Sequence, residues 1–223
     1  DYGDAPVSGT SPNGGTNNYG AVSHAIFSGN YIGSGNPDAD SANQPNADAT
    51  GDDADATGDD EDGISIPKLT QGSTSTISAT VAGDGGFLQG WIDFDGNGTF
   101  DAGEKVANNL QDGGALDTNG TVGVIDFDVS VPTGGVTGNT FTRFRWSTTE
   151  NLGATTSAND GEVEDYAVTI ARLPGTVNCG TEVGSAGGSG YATSGSGLYL
   201  NEIFWLDWSC AGETKFLAGD TVI

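Results

Sequence analysis

The stretch FLQGWIDFDGNGTFDAGE, Phe87 to Glu104, decides how the rest of the chain is read. From Asp93 onward it fits the calcium-loop template DxDxNGxxxxxE, with Asp93, Asp95, Asn97, Gly98 and Glu104 at the constrained positions. Asp101 adds a further carboxylate and Thr99 a backbone carbonyl at the places where such a loop draws its remaining oxygens. The spacing has a physical reason. Ca²⁺ takes about six to eight oxygens at roughly 2.3–2.6 Å, and the chain must turn sharply, here at Gly98, to bring them to one point. The same template normally sits between two helices, but the approach to Asp93 excludes that. Gly83, Gly85, Gly86 and Gly90 would each cost a helix about 1 kcal/mol, whereas Phe87, Leu88, Trp91, Ile92 and Phe94 suit a strand. The expectation is a strand feeding directly into a metal loop. The plain alternative is an acidic turn in a chain that holds 31 Asp+Glu and 38 Gly; the placement of the terminal carboxylate favours the loop.

Outward from this strand the pattern stays β. ISIPKL, STSTISATV, VGVIDFDVSV, TFTRFRWST and EVEDYAVTIA are short runs rich in Val, Ile, Thr and aromatics between turn signals, the spacing of a β-sandwich. In VGVIDFDVSV the set Ile125, Phe127, Val129 and Val131 alternates with Val124, Asp126, Asp128 and Ser130, so the first set is expected in the core. Sustained helical periodicity is absent, and the fold class is all-β.

Composition divides the chain into three. Residues 1–63 form an acidic arm, whose carboxylates are grouped in the glycine-led phrases GDDAD and GDDEDG. Asp52, Asp53, Asp59, Asp60 and Asp62 are candidate ligands there, and the arm is expected to be ordered by calcium because it is too poor in apolar residues to fold alone. Residues 64–172 carry the sandwich. Residues 173–223 pass from a Gly/Ser-rich linker to the apolar run LYLNEIFWLDWS, a C-terminal β segment that reads either as the opening of a further β module or, if the chain ends at Ile223, as a strand completing the sheet of a neighbouring subunit. Cys179 and Cys210 have no CxxC spacing; they read as a disulfide formed in an oxidising compartment, with two buried thiols as the alternative.

The charge narrows the partners. With Lys+Arg at 6 and a formal net charge of −25, the chain lacks the clustered basic residues that phosphate backbones require, so nucleic acid is excluded, and anionic membranes are disfavoured on the same ground. No membrane span is read. Divalent cations are favoured, since a bound ion removes the repulsion among packed carboxylates. The chain starts at Asp1 rather than Met, as a processed or excised segment would.

Other residues admit competing chemistry. Glu162 and Glu164 point to one side of a strand and Asp165 to the other, so the two glutamates are read either as a second calcium site or as partners of Arg143 and Arg145. Asp93 and Asp95 could form the acid–base pair of a hydrolase, but they are better explained as ligands of one ion. The single histidine, His24, lacks a nucleophile motif and reads as a hydrogen-bonded residue of an ordered loop; no catalytic activity is expected. Trp91, Trp146, Trp205 and Trp208 could stack on sugars, yet apolar neighbours make core packing the better reading.

GEVEDY at 161–166, together with DYGDAP, YGAVSH ending at His24, GDDADATGDDEDG, WIDFDGNGTFDAGE and RFRWST, resembles the GEVED domain family of bacterial secreted and surface proteins. Val22 and Ser23 stand where members of that family more often carry a basic residue. The resemblance implies a β-rich extracellular module, found beside adhesive, repeat or hydrolase modules. The function expected is therefore a calcium-stabilised structural or adhesive module of a bacterial surface assembly that associates with itself or with neighbouring β modules. The alternative is a carbohydrate- or protein-binding accessory domain of a secreted enzyme.

Overall fold

The computed structural model describes residues 1–37, 39–40, 42–51, 61–83 and 85–173. The regular elements among them are strands β1 (Tyr31–Ile32), β2 (Ile64–Ser65), β3 (Leu69–Thr70), β4 (Thr74–Ala82), β5 (Phe87–Ile92), β6 (Lys105–Leu110), β7 (Val124–Ser130), β8 (Gly138–Ser147) and β9 (Glu162–Ala171), plus one 3₁₀ turn at Ala102–Glu104. They form two sheets. In one, β1, β2 and β7 each pair antiparallel with β4; the other runs β3-β9-β8-β5-β6, with β3 parallel to β9 and the remaining pairs antiparallel. The run ISIPKL, expected as one strand, is two: β2 joins the first sheet and β3 the second. Pro67 lies between them, where a residue without an N–H would break either ladder.

The sheets face each other across one apolar cluster. Ile77, Ala79 and Val81 of β4 and Ile125, Phe127 and Val129 of β7 meet Leu88 and Ile92 of β5, Phe144 and Trp146 of β8 and Ile170 of β9. The β7 residues are those that period-two alternation assigns to the core, and burying each of these large side chains contributes about 1.5–3 kcal/mol. The all-β sandwich is thus built as its alternating runs require.

A third layer covers the outer face of the larger sheet. The β8–β9 register places Arg143 opposite Asp165 and Arg145 opposite Val163, while Phe144 and Trp146 lie opposite Glu164 and Glu162. Phe144 and Trp146 point into the core, so Phe141, Arg143 and Arg145 point outward. Over them lies the N-terminal segment. Ala5, Tyr19 and Ala49 pack with Phe141 and Phe100, the Tyr19 ring centroid standing 4.7 Å from that of Phe100 and 5.1 Å from that of Phe141. Asp1–Arg172 accordingly form one compact unit, and the change of composition at residue 63 is not a break in packing. The arm packs around Phe141 on the outer face of the sheet in place of a core of its own. Residues 174–223, with Cys179, Cys210 and the apolar C-terminal run, lie outside the described residues.

Candidate metal centre

β5 ends at Ile92, and the next residue begins the acidic loop, so a strand does feed directly into it. The loop closes on itself through two buried carboxylates. Asp93, fully buried, accepts from the amides of Gly96 (2.7 Å), Asn97 (3.2 Å) and Gly98 (2.9 Å). Glu104, 7% exposed, accepts through Oε1 from the amides of Phe94 and Asp95, at 2.8 and 3.1 Å, and through Oε2 from that of Asp101 at 3.0 Å. The turn depends on Gly98, whose φ is +89°; a Cβ there would also stand 2.7 Å from the Thr16 carbonyl oxygen, so both the backbone conformation and the neighbouring chain demand glycine.

Asp93, Asp95 and Glu104 each offer a carboxylate oxygen, and these lie within 4.8 Å of one another. Oxygens on opposite sides of one Ca²⁺ stand about 4.6–5.2 Å apart, twice the bond length, so three oxygens within 4.8 Å of one another fit inside a calcium coordination sphere. Asp95 and Asp101 are the exposed members. Between them, Asn97 Nδ2 donates to Asp95 Oδ2 (3.2 Å) and Asp101 Oδ2 (2.9 Å), a neutral donor bridging two carboxylates. Asn97 Oδ1 meanwhile accepts from the Thr99 amide and hydroxyl, so turning the Asn97 amide over would present its oxygen to the acids instead. The oxygen-only donor set fits a hard cation.

The electrostatics point the same way. Burial, with Asp93 and Asp95 adjoining, pushes the Glu104 carboxyl up to about 7, and burial likewise raises Asp93. The buried Arg143 is committed to Asp165, on another part of the sheet.

The other sequence-predicted ligands behave differently. Asp52, Asp53, Asp59 and Asp60 lie outside the described residues. Asp62 accepts from the Ser34 amide at 2.9 Å. Glu162 accepts from the Ile32 amide at 2.6 Å. Glu164 takes the amides of Asp62 (3.1 Å) and Gly63 (3.0 Å) and the Tyr166 hydroxyl (2.9 Å), and burial raises its carboxyl to about 8. Asp93, Asp95 and Glu104 are the metal-sized cluster found among the described residues, and it includes none of these three. The reading of Glu162 and Glu164 as partners of Arg143 and Arg145 is corrected by the register: residues directly opposite share a face, and Arg143 stands opposite Asp165.

Asp165 and Arg143 are the residues that sequence reasoning undervalued. Both are fully buried. Arg143 Nε and Nη2 donate to the two Asp165 oxygens at 2.7 Å, and Nη1 donates to the carbonyls of Tyr19, Gly20 and Ala154. Asp165 Oδ2 also accepts from the Ala5 amide at 2.8 Å. A single ion pair thus ties β8 and β9 to the DYGDAP segment, the YGAV segment and the loop before β9. The local signal was alternation of Arg143 and Arg145 with apolar residues on one strand; the partner could be identified only from register.

His24 is held beside this pair. Its Nδ1 donates to the Asp160 carbonyl at 2.7 Å, and Arg145 Nε donates to its Nε2 at 2.9 Å, so the neutral ring is the form that satisfies both contacts. Burial, then the Arg145 charge, lowers its pKa to about 3. The unfolded chain takes up a proton near pH 6.5 that the folded chain refuses, so stability present above that pH is lost as pH falls towards 3, by about 1.4 kcal/mol per unit. Urea midpoints measured between pH 7 and 4 should fall less steeply for His24→Gln than for the wild type; equal slopes would show that His24 titrates freely. With both nitrogens engaged, His24 is not poised as a base. Trp91 and Trp146 are likewise committed to packing, at 3% and 1% exposure, which removes them as sugar platforms; Trp205 and Trp208 lie outside the described residues.

Comparison with known proteins adds one finding. Residues 87–169 match the family model described as GEVED domain, a span from the start of β5 through the acidic loop and Arg143 to Thr169 near the end of β9. DYGDAP, YGAVSH and GDDADATGDDEDG lie before the matched residues. No curated protein and no solved structure matches the chain. Over residues 87–169, the strands, the acidic loop and the GEVEDY strand are together similar to a GEVED domain.

Proposed function

We propose that residues 1–172 form a calcium-stabilised, non-enzymatic structural module of a bacterial extracellular or cell-surface protein. The observation that carries the reading is the convergence of Asp93, Asp95 and Glu104 oxygens to within 4.8 Å at the end of a core strand, in a loop whose sequence places Asn97, Thr99 and Asp101 at the remaining ligand positions of a calcium template. A bound ion would neutralise the acids there and fix the connection between β5 and β6. The family match supports a modular extracellular setting, where calcium is abundant enough to fill sites of modest affinity. The large negative charge and the engagement of His24 and the two described tryptophans in packing favour a scaffold over an enzyme or a lectin.

Calorimetric titration of the metal-free protein with CaCl₂ tests this. One site of sub-millimolar affinity is expected, weakened at least tenfold by Asp95→Asn, which removes an exposed ligand without touching the buried loop staples; affinity unchanged by that substitution would place the ion elsewhere.

A further inference from the structure

The hairpin-like segment Thr10–Tyr19 lies directly against the acidic loop. Thr10 and Thr16 pair across it. Its Asn13 amide donates to the Gly96 carbonyl at 2.9 Å and its Asn18 amide to the Gly98 carbonyl at 2.7 Å, while Asn13 Nδ2 reaches the Asp95 carbonyl at 3.2 Å. At its end the Tyr19 hydroxyl donates to Asp93 Oδ2 at 2.6 Å, both groups being buried. Each of these contacts falls on one of the turn residues 95, 96 and 98 or on Asp93, which stands first in the loop. The same Tyr19 also anchors the arm, through its ring against Phe100 and Phe141 and through its carbonyl on Arg143.

We propose that Thr10–Tyr19 is an integral outer wall of the metal loop, with Tyr19 the residue that positions Asp93, so that calcium binding and docking of the N-terminal arm across the sheet are reciprocally coupled. The inference rests on the calcium reading above and adds to it the element that senses the ion. A hydroxyl donating to one oxygen of a ligating carboxylate fixes which oxygen faces the ion, and partners of this kind typically change metal affinity by about 10–100-fold. The coupling runs both ways by thermodynamic necessity: whatever factor the docked arm adds to calcium affinity, calcium adds to the stability of arm docking.

The test uses the full chain, with calcium as the probe. Calcium affinity is measured by calorimetry for the wild type, Tyr19→Phe and Asn13→Ala, and hydrogen exchange is followed in peptides covering residues 10–20 with calcium and with chelator. Tyr19→Phe keeps the ring packing and removes only the hydroxyl. It should weaken calcium about tenfold, and calcium should slow exchange in the arm of the wild type more than in that of the variant. Asn13→Ala, altered on the solvent side, should weaken calcium in the same direction by a smaller factor. If the wild type binds calcium while Tyr19→Phe binds equally tightly and merely melts lower, the hydroxyl is structural and the coupling is overturned with the calcium reading intact. If the wild type binds no calcium, the calcium reading and the coupling fall together.

Discussion

Arg143→Met is expected to destabilise the protein by about 3–5 kcal/mol, the cost of leaving one member of a buried ion pair without the other. For a compact unit of this size that is a fall in Tm of roughly 10 °C. The substitution strands Asp165 with the Ala5 amide as its remaining donor and removes the donors serving the carbonyls of Tyr19, Gly20 and Ala154. Burying an unpaired carboxylate outweighs the modest gain from an apolar side chain. The double substitution Arg143→Met with Asp165→Leu should recover part of the loss, because it removes the buried charge altogether. Urea denaturation of the three variants, with limited proteolysis of the arm, measures this. An Arg143→Met variant within 1 kcal/mol of wild type would mean that the pair is not buried in solution.

Chelation is the second large effect. At free calcium about a hundredfold above Kd, an ion bound only to the folded state adds about 2.7 kcal/mol, so transferring the protein from calcium to excess chelator should lower Tm by several degrees. Glu104→Gln should abolish most of the difference between the two conditions. The pH dependence distinguishes the bound from the free state. Without calcium, burial holds the Glu104 carboxyl near 7, above its unfolded value, so its contribution is full below about pH 4.5 and is lost as pH rises through 7. With calcium the carboxylate must be ionised to bind, and the stabilisation by the ion grows over the same interval as the proton is released. Melting curves between pH 5 and 8 should therefore diverge with rising pH, calcium against chelator, and Glu104→Gln should remove the divergence. Superimposable curves in calcium and chelator would end the calcium hypothesis.

Where the sequence succeeded, the controlling physics is local. The alternation in VGVIDFDVSV places Ile125, Phe127 and Val129 in the core because side chains of a strand alternate whatever it pairs with. The grouping of Asp93, Asp95 and Glu104 is legible for the same reason, since they fall within twelve consecutive residues. Strand β6, like the two-residue β1, is a local element that was not read. Its sequence KVANNL lacks clean alternation, its pairing with β5 is interrupted by register shifts, and Asn109 adopts a φ of +53°.

What the tertiary structure alone decided lies at long sequence separation. The choice of Asp165 over Glu162 and Glu164 as the partner of Arg143 follows from the β8–β9 register, and a shift of one residue would have reversed it. The contact between Tyr19 and Asp93 joins residues 74 positions apart. The placement of the acidic arm shows the difference most directly. By composition it reads as too polar to fold by itself; in the structure Ala5, Tyr19 and Ala49 are buried because a distant strand supplies Phe141 as their apolar partner and Arg143 as the donor to the Tyr19 and Gly20 carbonyls. Composition measures what a segment can bury within itself, whereas the fold determines what surface the rest of the chain offers it.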